Sequence, residues 1–155
     1  MKIGLISDTH DNLPKIKKAV EIFNKNRVEF VIHAGDFVAP FSLLPFQELN
    51  CDWTGVLGNN DGEKKGLITK SQGRIKQGQI SLILDNKKLI VIHDIENYDN
   101  EYADIIVFGH THKPEVKKLG ESLLINPGEA SGWLSGKATI AVVELDSLNV
   151  NIIEI

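Results

Sequence analysis

With one cysteine among 155 residues there is no partner for an internal disulfide, so the fold needs no oxidising compartment to hold it together. Cys51, within LNCDWTGV, is expected as a small residue of a strand. Basic clusters are missing as well: 17 lysines and arginines face 21 acidic side chains, a formal charge of -4. With a pI near 5.7, that balance excludes the positive field of a general nucleic-acid binder. Long hydrophobic runs are also lacking. Ile105 to Phe108 is among the longest apolar stretches, far below the roughly 20 residues that span a bilayer, so no membrane partner is expected. The opening MKIGLISDTH lacks the apolar segment of a secretory signal, and a cytoplasmic location follows as an expectation. Nowhere do proline, glycine and serine gather into a linker, and no segment repeats. One domain over residues 1–155 is therefore expected, since a core of this size buries roughly two-thirds of the surface the unfolded chain exposes.

What is present is an ordinary globular mixture, 42% hydrophobic and 25% charged, with two kinds of patterning. In the first half, strand signals at 2–6, 28–32 and 52–57 alternate with helical ones. Between Asn12 and Asn26, apolar residues at Leu13, Ile16, Ala19, Val20 and Phe23 lie on one helical face. Pro14 fits the first turn and Asn12 is the natural cap. A second helix is predicted over 41–49. This β-α-β-α-β order implies parallel strands. In the second half, short strands at 79–84, 88–92, 104–108, 115–119, 123–125, 138–145 and 149–153 are separated by turn residues, with at most one short helix around 96–102. The fold class is thus α/β, two sheets of mixed strands closing into a sandwich with helices outside.

Five of the strand ends are followed by polar residues of one chemical kind: Ser7-Asp8-Thr9-His10, His33-Ala34-Gly35-Asp36, Gly58-Asn59-Asn60-Asp61, His93-Asp94 and Gly109-His110-Thr111-His112. Ligand groups of α/β sheets collect at the carboxyl ends of strands, so these loops are expected to converge on one crevice. Carboxylates, imidazoles and an amide, without thiolate, suit Mn, Fe, Ni or Zn. Seven such donors exceed one tetrahedral site and suit two octahedral ones with a shared carboxylate. In an extended segment, residues two apart point the same way, which would bring Asp8 together with His10, and His110 with His112. Gly35 and Gly109 would let backbone approach the cluster closely. His33 is taken as a buried or backbone-bonded ring, Asp61 and Glu63 as solvated residues, and Trp53 and Trp133 as core or interface aromatics.

SDTH with Asp8 and His10, HAGD with Asp36, GNND with Asn59, the post-strand His93 and GHTH with His110 and His112 together resemble the signature of calcineurin-like metallophosphoesterases. The late INPGE, Ile125 to Glu129, resembles the NPGS-type turn of the small YfcE-like phosphodiesterase group. The resemblance covers nearly the whole chain and implies a four-layer metallophosphoesterase fold with two divalent metal ions, manganese favoured among Mn, Ni, Fe and Zn. It implies that Asp8, His10, Asp36 and His112 hold one ion and that Asp36 bridges to a second held by Asn59, His93 and His110. Attack by a metal-bridging hydroxide on a small or nucleotide-like phosphodiester is the activity it implies.

Two departures from the family stand out. Asn60 occupies the position of a histidine thought to assist catalysis in many members, and an amide cannot supply a proton. Asp94 follows His93 where the family usually has glycine. Two alternatives accompany the hydrolase reading: a non-catalytic interaction scaffold like the retromer subunit of the same fold, and a weak phosphomonoesterase. Exposed strand edges and Trp133 make a homo-oligomer conceivable.

Overall fold

The computed structural model describes all 155 residues. Eleven strands form two sheets, one ordered β11-β10-β1-β2-β3-β4 and the other β5-β6-β7-β9-β8. In the first sheet, β1 (Lys2–Ile6), β2 (Phe30–His33), β3 (Asp52–Val56) and β4 (Ile75–Lys76) run parallel. β10 (Thr139–Glu144) joins β1 antiparallel and β11 (Asn149–Glu154) closes that edge. In the second sheet, β6 (Lys87–Val91), β7 (Ile105–Val107) and β9 (Ser122–Asn126) are parallel. The hairpin partners β5 (Ile80–Leu84) and β8 (Glu115–Leu119) form its two edges. The two mixed sheets and the parallel order of the first half are as the sequence patterning predicts.

Alternation along the strands separates the core into layers. Ile3, Leu5, Ile32, Val56, Val91, Val107 and Ile125 belong to one cluster between the sheets, all fully buried. On the other face of the first sheet, helix α1 (Leu13–Lys25) buries Ile16, Ala19, Val20 and Phe23, the face its apolar spacing marks out. Burying a phenylalanine such as Phe23 stabilises the fold by roughly 2–3 kcal/mol. Pro14 lies in the first turn, and the Asn12 side chain accepts from Lys15 N at 3.4 Å. The outer face of the second sheet has a thin cover, a six-residue cluster including Ile90, Ile106 and Phe108, and the only helical turn there is a 3₁₀ turn at Ile95–Asn97. No helix is long and apolar enough to cross a membrane.

Three local expectations change. The predicted second helix is a 3₁₀ helix over Pro40–Glu48, because Pro45 lacks the N–H that an α-helical ladder needs. Helix α2 (Lys64–Lys70) carries no sequence signal, having lysines at its start and no side-chain cap bond. Cys51 precedes β3 and is half-buried against the helix-side core.

Candidate metal centre

The predicted donors do converge, though not by the extended geometry that their i, i+2 spacing suggests. Asp8, His10, Asp36, His110 and His112 have φ of 52°, 38°, 62°, 65° and 61°. They occupy the left-handed region, which costs about 1 kcal/mol or more per non-glycine residue and which Asp, Asn and His tolerate best. β1, β2 and β7 therefore each end in a sharp turn that throws the donor back over the sheet end. Val38, φ 86°, is the branched residue caught in the same loop.

Close approach of backbone completes the packing. A Cβ at Gly35 would lie 2.5 Å from His93 Nδ1, and one at Gly109 would lie 2.8 Å from Asp8 Oδ2. Gly58 is tighter still, with a Cβ position 2.1 Å from Asp36 Oδ1.

Two groups of donors result. Asp8, His10, Asp36 and His112 bring one ligand atom each within 4.8 Å of one another. His10 and His112 are stacked with ring centroids 5.2 Å apart. Beside them, Asn59 Oδ1 lies 2.8 Å from both His93 Nε2 and His110 Nδ1. Asp36 connects the groups: its Oδ2 is 3.5 Å from His10 Nε2 and 3.5 Å from His93 Nε2.

Electrostatics and unmet hydrogen bonds show what this arrangement can hold. Burial pushes the Asp8 carboxyl up. For Asp36, burial opposes ionisation but is outweighed by His93 and Asn60, which hold the carboxyl well below the usual carboxylate range. His93 Nδ1 donates to Ala34 O at 2.7 Å, so on a neutral ring Nε2 turns a lone pair toward the Asn59 oxygen, a pairing that calls for a proton or a cation between them. His10 Nε2 is buried without a hydrogen-bond partner, 3.5 Å from Asp36 Oδ2. Buried polar atoms seldom stay unpaired in folded proteins, and an imidazole nitrogen facing a carboxylate without sharing a proton suits a cation ligand. The residues present therefore fit divalent ions.

Several neighbours position these donors. His33 is fully buried against Phe37, with ring centroids 3.5 Å apart, the buried and backbone-bonded ring that the sequence suggests. Gly35 N donates to its Nδ1 at 3.1 Å, so the proton sits on Nε2 and is donated to Thr9 Oγ1, also at 3.1 Å. The ring thus bolts the Asp8 loop to the Asp36 loop. Burial lowers its pKa well below 6.5, so a proton binds the unfolded chain more readily than the folded one. Stability from this ring is complete above about pH 6.5 and declines as pH falls below it, by about 1.4 kcal/mol per pH unit. Urea midpoints between about pH 7 and pH 5 should show a flatter acid limb for His33→Gln than for the native protein, and equal slopes would contradict this account. His93, whose raised pKa works in the opposite direction, is common to both proteins.

Sequence reasoning misses two residues. Asp61, taken as solvated, is only 1% exposed. Its carboxylate accepts from Gly58 N at 2.7 Å, Val38 N at 2.7 Å and Asp36 N at 3.2 Å, tying the Asn59 loop to the Asp36 loop. Its place three residues after Gly58 in a turn-forming string is the available signal. Glu129, at the end of INPGE, lies 3.4 Å from His112 Nδ1. That turn borders the cluster: Asn126 donates to Gly109 O at 2.8 Å and to Thr111 Oγ1 at 3.0 Å. Asp94 faces elsewhere, its carboxylate accepting from Glu96 N and Asn97 Nδ2 at 3.0 Å each. Trp53 is a core residue, while Trp133 is 65% exposed and its indole N–H donates to His10 O at 3.2 Å.

A sandwich of two mixed sheets with carboxylate, imidazole and amide donors gathered at strand ends, taken with a family match over most of the chain, makes this a metal-dependent phosphoesterase. Residues 1–148 match the calcineurin-like phosphoesterase superfamily domain, and the chain belongs to that family. It is 40% identical to phosphodiesterase MJ0936 of Methanocaldococcus jannaschii, covering 94% of both chains. With phosphodiesterase YfcE of Escherichia coli it shares 26% identity over 97% of this chain and 91% of the relative. Among solved structures, one described as a novel archaeal phosphodiesterase superposes with a TM-score of 0.89 at 35% identity, covering all of both chains. A Vps29 mutant from Entamoeba histolytica shares the fold, with a TM-score of 0.72 at 19% identity over 100% of this chain and 99% of that one.

Proposed function

We propose that the chain, as a single domain over residues 1–155, hydrolyses a small or nucleotide-like phosphodiester using two divalent cations, manganese favoured. Asp8, His10, Asp36 and His112 would hold one ion, and Asn59, His93 and His110 the other, with Asp36 shared. The observation that carries this reading is the Asp36 oxygen lying 3.5 Å from a histidine of each group. When bound, such ions neutralise charge on the phosphoryl oxygens and acidify water so that hydroxide is available near neutral pH for in-line displacement at phosphorus.

The chain's own groups set what can leave. Asn60 stands where many relatives of the superfamily carry the assisting histidine. Its backbone N–H and side-chain amide donate to Asp36 Oδ1 and Oδ2 at 2.8 and 2.7 Å. Asn60 therefore orients the shared carboxylate and supplies no proton to the departing oxygen. Without a proton donor at this position, esters with a good leaving group, such as aryl diesters, are expected to react faster than those that expel an alkoxide.

A cytoplasmic location is part of this proposal. The scaffold reading draws on the Vps29 neighbours, which share the fold alone, and retention of the complete donor set favours the hydrolase. Chelation of all divalent metal is expected to abolish turnover of a chromogenic diester, with recovery on adding Mn or Ni and a lower rate on the matching monoester. No metal-dependent turnover of either ester would defeat the proposal.

A further inference from the structure

His112 offers two ring nitrogens, and a neutral imidazole carries only one proton. Its Nε2 lies 3.5 Å from Asp8 Oδ1, inside the donor group, so that nitrogen must keep its lone pair if the ring is to hold a cation. The proton then belongs on Nδ1, and Nδ1 lies 3.4 Å from Glu129 Oε1. Glu129 is fully buried, and no lysine or arginine forms an ion pair with it.

Its other partners explain why the carboxylate stays. Ser131 Oγ donates to Oε1 at 2.7 Å, Leu134 N to Oε1 at 3.0 Å and Ser135 N to Oε2 at 2.8 Å. Three donors converging on its two oxygens suit an ionised carboxylate. The same loop returns to the site through Trp133, whose N–H reaches the His10 carbonyl. Both stacked histidines are thereby tied to one segment, Glu129 to Ser135.

We propose that Glu129 is a positioning residue for the metal centre: it fixes His112 as the Nδ1–H tautomer, leaving Nε2 free to ligate. This inference rests on the metal-centre reading above. At 3.4 Å the pair is not yet hydrogen-bonded and Nδ1 has no other partner; contacts of this kind commonly tighten once a site is filled. A carboxylate behind a ligating histidine sets ring orientation and raises ligand basicity. His93 is served in the same way by the Ala34 carbonyl.

Glu129→Gln separates this role from simple loop anchoring. Ser135 N–H and Leu134 N–H can only donate, and the Oε2 position lies within 2.8 and 3.3 Å of them, so the glutamine oxygen must sit there to serve both; the amide NH₂ then occupies the Oε1 position, where the Ser131 hydroxyl can rotate to accept. That NH₂ points at His112 Nδ1 and forces the proton onto Nε2, the nitrogen the ion requires.

The test uses the full-length protein in two measurements. Long-range ¹H–¹⁵N spectra of the metal-free native protein should show His112 as Nδ1–H, and those of Glu129→Gln should show Nε2–H. Titration with Mn should show about 10- to 100-fold weaker binding in the variant, the usual effect of removing such a support. An Nε2–H tautomer in the native protein would overturn the inference without recourse to any variant. Equal Mn affinity in a folded Glu129→Gln protein would also overturn it. Failure of the native protein to bind Mn at all would instead sink the metal-centre reading, while the native tautomer would still decide whether Glu129 orients the ring.

Discussion

Asp36→Asn is expected to lower metal-dependent diester hydrolysis by roughly 1000-fold, a loss of about 4 kcal/mol of transition-state stabilisation. The substitution conserves shape and removes one charge from the carboxylate that faces both histidine groups. It also creates a local conflict. Both Asp36 oxygens accept hydrogen bonds from Asn60, one from its backbone and one from its side chain, whereas an amide accepts at only one end. Wherever the new NH₂ settles, it opposes an existing donor or turns away from the histidines at 3.5 Å. Metal content per chain, measured beside the rate, should fall from two ions. A variant retaining two ions and more than a tenth of native activity would refute the shared-carboxylate assignment.

Gly58→Ala should be strongly destabilising. Its Cβ would sit 2.1 Å from Asp36 Oδ1 and 2.5 Å from Asp36 N, and neither is a flexible end that can swing aside. Gly58 N also donates to the buried Asp61 carboxylate at 2.7 Å, so the backbone cannot retreat without breaking that bond. Overpacking of this kind costs about 3 kcal/mol, or on the order of 10 °C in Tm for a chain of this length. Gly62→Ala is the control, since nothing lies within 4 Å of its Cβ position, and its effect should remain within about 0.5 kcal/mol. Thermal melts of the two variants decide the matter, and equal melting temperatures would show that the Asp36 loop yields more easily than its hydrogen bonds imply.

The sequence exposes the donors more clearly than the way they are held. Strand periodicity and polar residues immediately after each strand suffice to place Asp8, Asp36, His93 and His110 at strand ends, and the helix spacing from Leu13 to Phe23 marks α1 together with its Asn12 cap. What periodicity cannot express is backbone sign: the i, i+2 spacing of Asp8 with His10 suggests extended chain, while the actual turn is left-handed at both residues. Asp61 was obscure because its partners are main-chain N–H groups, which every residue carries. Glu129 was obscure because its partner His112 is distant in sequence, and only folding β9 beside β7 brings them together. Pro45 did carry a warning against an α-helix at 41–49, and the 3₁₀ geometry is its consequence.

The donors are divided between the two sheets: Asp8 and His10, Asp36 and Asn59 follow β1, β2 and β3, while His93, His110 and His112 follow β6 and β7. The cluster therefore straddles the seam of the sandwich, and neither layer owns a complete half of it. Prying the layers apart dismantles the chemistry in the same stroke, so a partly opened form of this molecule has no means of remaining an idle but intact catalyst.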